Sequence, residues 1–229
     1  MTPINTITAF FPSEINFNTD PGFWNMMPVE QMALIYFLQN LKPKVSIEIG
    51  TQFGGSLQVL SHFSSKVYAL DIDPEVPLRL KGKYSNVEYL VGDSFQTLPV
   101  LLENLQKENA EIGFILLDGN CSTEAVKKDI ASILKIKPIG PLYILIHNSF
   151  YPPCRIGICS VNWSSCPYAH ALELDYIMGG MSLFGGPLMG AGIAMAILLP
   201  SPREHNLQAS AWGEPTLSEL LYSFAAAAP

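Results

Sequence analysis

The sequence predicts an α/β fold, a Rossmann-like, doubly wound and mostly parallel sheet with a C-terminal antiparallel hairpin. Three observations predict it. Strand-length apolar runs alternate with segments of helical period, a glycine-rich turn follows the first run, and the later runs each end on a polar residue. With 229 residues, 48% hydrophobic and 14% charged, the chain can bury one sizeable core. It reads as one domain over 1–229, with a cap segment and helix in 1–41 and the core in 45–200.

Pro28 to Leu41, PVEQMALIYFLQNL, opens with proline where a first helical turn tolerates it and repeats apolar residues at three- and four-residue steps. Strand-like runs follow at Val45 to Ile49, Val67 to Leu70, Val87 to Val91, Ile112 to Leu117 and Leu142 to Ile146. Helix-compatible TLPVLLENLQKEN and STEAVKKDIASILKI lie between them, an alternation that makes a parallel sheet covered on both faces. ELDYIMG and AGIAMAILL are two further strand candidates. From Tyr176 to Pro202 no charged residue occurs, a length able to span a bilayer. Its glycines and Pro187 break that run, so soluble sheet and a glycine-rich loop are expected. The terminal AAAAP reads as a frayed end.

Thirteen basic against 20 acidic residues give a formal charge of -7, which disfavours nucleic acid and leaves a small molecule as the expected partner, with homo-oligomer formation open. Cys121, Cys154, Cys159 and Cys166 sit in a chain too large to need disulfides. The N-terminal stretch lacks a basic-then-apolar leader, and the cytoplasm is the expected compartment.

The stretch EIGTQFGGS, Glu48 to Ser56, follows the first strand candidate and precedes a helix starting near Gly55. Gly50 and Gly54 permit close backbone approach, which suits a nucleotide-like ligand lying across the strand's carboxyl end. The spacing G-x-x-x-G-G, with an acid two residues earlier, departs from G-x-G-x-x-G. A phosphate loop would need lysine before its terminal Ser or Thr, and a short-chain dehydrogenase a tyrosine followed four residues later by lysine. Neither occurs. What remains is a ligand with hydroxyls and a positive centre. Asp71 closes VYALDID, where an acid can accept from both hydroxyls of a ribose, and Asp93, Asp118, His147 and Asn148 stand at the other strand ends. Acids also begin loops and cap helices, so for each residue alone both readings stay open.

At these residues the chain resembles the class I S-adenosylmethionine-dependent methyltransferases. EIGTQFGGS is similar to their first motif, LDID to the second, GDS to the third and ILLDGN to the fourth, over about Met27 to Leu199. DGNCSTEAVKKDI resembles the small-molecule O-methyltransferases related to cephalosporin-hydroxylase and macrolide-sugar methylating enzymes, whose usual form is D-G-D-H-S-Y-E. The resemblance implies S-adenosyl-L-methionine as cofactor. Glu48, Gly50, Thr51, Gln52, Phe53, Gly54 and Ser56 would serve its methionine part, Asp71 the ribose with Ile72 beside it, and Asp93 and Ser94 the adenine side. Asp118 would face the reacting centre.

Relatives of this kind hold magnesium with acids at the fourth and fifth strand ends. Here Asn120 and Cys121 replace Asp and His, and HNS replaces an His-Asp pair, so a metal-independent site is expected. His147 is then the candidate general base, its alternative being a core histidine, with His170 in reserve. The implied activity is methyl transfer to an oxygen of a small, partly apolar specialised metabolite. A NAD(P)-dependent oxidoreductase and a catalytically silent cofactor-binding or assembly protein are the alternatives. FYPPCRIGICSVNWSSCPYAH reads as a lid or an apolar pocket wall; Cys154, Cys159 and Cys166 with His170 are a zinc alternative whose spacing matches no C-x-x-C ribbon. FWNMMP and the first helix are read as covering the cofactor, forming a subunit contact or packing as plain core.

Overall fold

The computed structural model of the chain describes Ile15 and residues 24–182 and 188–210, with 181, 182, 188 and 189 as backbone. The AAAAP tail and the middle of the glycine-rich segment lie outside the described residues. Among the described residues, β1 (Val45–Ile49), β2 (Lys66–Asp71), β3 (Val87–Val91), β4 (Ile112–Leu117) and β5 (Leu142–His147) run parallel in the order β3-β2-β1-β4-β5. The winding reverses between β1 and β4, and such a reversal opens a crevice at the strands' carboxyl ends. The expected hairpin is present: β9 (Ile193–Leu198) lies antiparallel between β5 and β6 (Ala169–Ile177). Two features were not legible. β10 (Gln208–Ser210) extends the edge parallel to β6, and β7 (Gly180–Ser182) pairs with β8 (Leu188–Gly190) in the segment expected to be a loop.

Local chemistry marks several of the helix ends. Pro28 opens α1 (Pro28–Leu41), which ends on Lys42 in the left-handed region. Gly54, at φ +83, precedes α2 (Gly55–Phe63). α3 (Val76–Arg79) is a single turn. Asp93 caps α4 (Ser94–Lys107) by accepting from the Phe95 N–H at 3.0 Å, and Ser122 caps α5 (Thr123–Ile133). The segment read as a lid or an apolar pocket wall contains α6 (Pro152–Cys159) and a 3-10 turn at Trp163–Ser165. Cys154, Ile158, Trp163 and Cys166 are buried there, because α6 packs closely on α5 at Gly157, where a Cβ would come within 2.9 Å of Val126. Apolar burial accounts for these four residues, while Tyr151 and Ile156 are exposed.

Alternation along the strands divides two cores. Ile47, Ile49, Ile115, Leu117, Ile144 and Ile146 join the core with α4, α5 and α6; Phe114, Leu116 and Leu145 join the one with α1 and α2. Continuing the same parity places Glu48, Asp118 and His147 together on the α1 and α2 side, at the carboxyl ends. Among the described residues no helix is long and apolar enough to cross a membrane.

Candidate active site

Gly50 has φ +90, and a Cβ there would lie 2.2 Å from the Asp118 carbonyl oxygen. The glycine therefore lets the β1 turn close against the end of β4. The Gly50 N–H donates to Leu70 O at 2.9 Å, and the Asp118 N–H to Ile49 O at 2.8 Å. Beyond it, the Thr51 and Gln52 N–H groups both donate to Asp71 Oδ2 at 2.8 Å, while Asp71 Oδ1 accepts from Asp73 N at 2.9 Å. The protein's own carboxylate thus occupies the place where a phosphate loop would bind an anion. That is the physical content of the G-x-x-x-G-G spacing.

Glu48 lies beneath the turn, fully buried, and lines neither site cavity. Ser56 Oγ donates to its Oε1 at 2.6 Å and Thr51 Oγ1 to its Oε2 at 2.8 Å. Burial pushes this carboxyl up to about 8, those hydrogen bonds resist, and the Asp118 and Asp71 charges push the same way as burial. Between the ordinary carboxyl value of 4.5 and about 8 the folded state holds a proton that the unfolded chain has released. Stability contributed by this group therefore falls as pH rises through that window. Glu48→Gln keeps the shape without the titration, so its urea-unfolding free energy should vary less between pH 5 and 8 than the wild type's. A variant as steeply dependent as wild type would assign the slope to another group.

Two adjoining cavities meet at Gly50, Gln52, Asp118 and Gly119. One, about 330 Å³, is lined by Asp71, Ile72, Asp93, Ser94 and Asn120 as well; the other, about 230 Å³, by Trp24, Asn25, Thr51, Ser56, Cys121 and Asn148. Of the residues expected here, Glu48, Phe53, Gly54 and His147 line neither. Phe53 instead lies 4.9 Å from the Arg79 guanidinium. Trp24 and Asn25 belong to FWNMMP, one reading of which is a cover over the cofactor, whereas Gly119 was not foreseen. Trp24 is buried, and among the described residues its indole Nε1–H has no acceptor.

His147 is 3% exposed, with Nδ1 at 2.6 Å from Asp118 Oδ1 and Nε2 at 3.2 Å from Glu30 Oε2. Both ring nitrogens thus face carboxylate oxygens, to which only the imidazolium can donate simultaneously. Burial alone would lower its pKa. The charge and hydrogen bond of Asp118, joined by those of Glu30, outweigh it and raise the group well above the ordinary imidazole value. Glu30 is wholly buried and also accepts from the Met27 and Gly192 N–H groups. Burial alone would raise it, yet His147 and these N–H groups hold it below the ordinary range. The geometry is that of a buried ionic bridge, with no lone pair on the ring left for a substrate proton. Glu30 was missed by sequence reasoning, although an acid at position 30 shares the buried helical stripe of Leu34 and Leu38.

His170, the reserve base, donates from Nε2 to Ser201 O at 2.9 Å and lines neither cavity. Among the described residues no three His, Cys, Asp or Glu side chains converge to hold a metal. This includes the zinc alternative, whose Cys154 and Cys166 are buried while Cys159 is exposed.

A reversed-winding sheet with one antiparallel strand, β9, beside β5, a glycine turn on a strand-end acid and a crevice at β1 and β4 define the class I methyltransferase fold. Solved structures agree. The chain is similar to an O-methyltransferase from Bacillus cereus in complex with SAH, with a TM-score of 0.56 and 15% identity over 84% of this chain and 86% of that one. It is also similar to the N-methyltransferase NodS from Bradyrhizobium japonicum WM9 in complex with S-adenosyl-L-homocysteine, with a TM-score of 0.52 and 13% identity over 82% and 95%. A dimethyladenosine transferase from Plasmodium falciparum has a TM-score of 0.51 and 15% identity over 78% and 63%. No family model and no curated protein matches the chain. The shared feature is the fold, and three kinds of transferase carry it.

Proposed function

We propose that the protein binds S-adenosyl-L-methionine across the β1/β4 crevice and transfers its methyl group to an oxygen of a small polar molecule. The observation that carries this reading is Asp71, whose carboxylate fills the turn's anion site yet still faces the larger cavity. A pyrophosphate would meet that charge, whereas ribose hydroxyls can donate to its remaining lone pair. Asp93, Ser94 and Ile72 line the rest of the same cavity. The cofactor would supply an electrophilic sulfonium methyl. The protein's share is placement, worth up to about 7 to 11 kcal/mol for well-oriented reactants. Trp24 and Asn25 wall the smaller cavity against water. Asp118 lies where the cavities meet, its Oδ1 engaged by His147, and Oδ2 is the atom that takes an acceptor's proton.

The polar lining of that cavity favours a polar acceptor over the partly apolar one expected from the sequence. Calorimetric titration tests the cofactor. S-adenosylhomocysteine should bind and raise the melting temperature, by about 2.7 kcal/mol of added stability at one hundred times its Kd. Asp71→Ala should weaken binding by about 1.5 to 3 kcal/mol, the worth of hydrogen bonds to a charged acceptor. Binding of NADH in preference to S-adenosylhomocysteine would replace this reading with the oxidoreductase.

A further inference from the structure

Two thiols meet at the wall of the smaller cavity. Cys121, in the loop between β4 and α5, lines it. Its sulfur accepts from Asn148 Nδ2 at 3.4 Å and lies 3.5 Å from Gly119 O. Behind it, on α6, the buried Cys154 donates to His147 O at 3.4 Å. The two sulfurs therefore sit against the side chain of residue 148 and the carbonyl of residue 147, neighbours at the end of β5, and each thiol perturbs the other. No disulfide joins them.

We infer that Cys121 and Cys154 form a peroxide-reactive dithiol, in which Cys121 is the attacking thiol at the cavity and Cys154 the resolving thiol behind it. The inference stands on the placement of the two sulfurs and does not depend on which cofactor occupies the crevice. The chemistry balances with a hydroperoxide as oxidant. The Cys121 thiolate attacks the distal peroxide oxygen, the S–O bond forms, the O–O bond breaks, and the leaving oxygen departs as alcohol or water with a proton. The Cys154 sulfur then attacks the sulfenic sulfur. The S–S bond forms, the S–O bond breaks, and hydroxide leaves as water with the Cys154 proton. Two thiols lose two electrons in all, and one peroxide gains them.

The electrostatics divide the roles in the same direction. The neighbouring Cys154 thiol, against the effect of burial, brings Cys121 down to about 7. Cys121, together with burial, raises Cys154. The thiolate therefore forms at the cavity, where a small polar oxidant has access, and its partner stays protonated until the sulfenic acid is made. Cys159 supplies an internal comparison: it is more exposed, but burial of its sulfur raises it.

The test treats the reduced full chain with graded hydrogen peroxide, blocks remaining thiols with iodoacetamide and maps the peptides by mass spectrometry. Cys121 should be lost at least tenfold faster than Cys159, with a peptide pair joined through Cys121 and Cys154 that dithiothreitol separates. Cys154→Ala should divert Cys121 to the sulfinic acid. Cys121→Ser, a near-isosteric change at a half-buried position, should leave Cys154 reduced at the same peroxide dose. Faster loss of Cys159, or wild-type Cys121 advancing to sulfinic acid with no joined peptide, would overturn the proposal.

Discussion

His147→Ala should destabilise the protein by about 3 to 5 kcal/mol, measured by urea unfolding near neutral pH. Removing the imidazolium leaves Glu30 and Asp118 close to one another with no counter-charge, and breaking a buried ion pair from one side costs about that much. Glu30 is wholly buried and cannot turn to water. The pH dependence has a defined sign. The folded pKa of His147 lies well above the ordinary value of 6.5, so its stabilisation is fully present below about 6.5 and is lost as pH rises through the folded value. Glu30 is held below 4.5, so its stabilisation is present above that value and is lost as pH falls through the folded one. The gap between wild type and variant should thus narrow toward both extremes. A base acting on substrate gives another pattern: stability near wild type and turnover lowered by roughly 10² to 10⁴. Observing that pattern would restore His147 as the general base.

Gly50→Ala should be nearly as damaging, costing about 2 to 6 kcal/mol and abolishing S-adenosylhomocysteine binding. Two penalties combine. At φ +90 any side chain is strained, worth about 1 to 3 kcal/mol, and the new methyl would lie 2.2 Å from Asp118 O and 2.6 Å from its carbonyl carbon. Neither neighbour is a flexible side chain. The turn must therefore part from β4, which displaces Asp118 from the junction of the cavities and withdraws the Thr51 and Gln52 N–H groups from Asp71. Gly82→Ala separates the two penalties, because at φ +74 it meets nothing within 4 Å and should cost only the backbone strain, about 1 to 2 kcal/mol. Equal losses at positions 50 and 82 would show that close approach to Asp118 is irrelevant.

The sequence by itself determined what depends on neighbours along the chain. Five apolar runs separated by helical segments are local patterns, and local periodicity chose each element; the parity of β1, β4 and β5 then fixed which face Glu48, Asp118 and His147 share. The acid in the opening turn and the acid ending β2 were also visible, with the crevice implied by the winding. Tertiary structure alone decided what those residues touch. Glu30 meets His147 across 117 positions, and Asp118 meets it across 29, so no spacing in the sequence announces the bridge. The cysteine- and proline-rich segment after β5 shows the same limit: an apolar composition suits a pocket wall and a packed helix equally, and only the surface offered by α5 settles which forms. Gly50 makes the point in one residue. Its positive φ belongs to the turn and could be inferred from the motif, but the atom that forbids a side chain is the Asp118 carbonyl, brought there by the pairing of β1 with β4. Backbone preference is short-ranged and is written in sequence, whereas the partners of a buried charge or a missing Cβ are set by which strands and helices come to lie side by side.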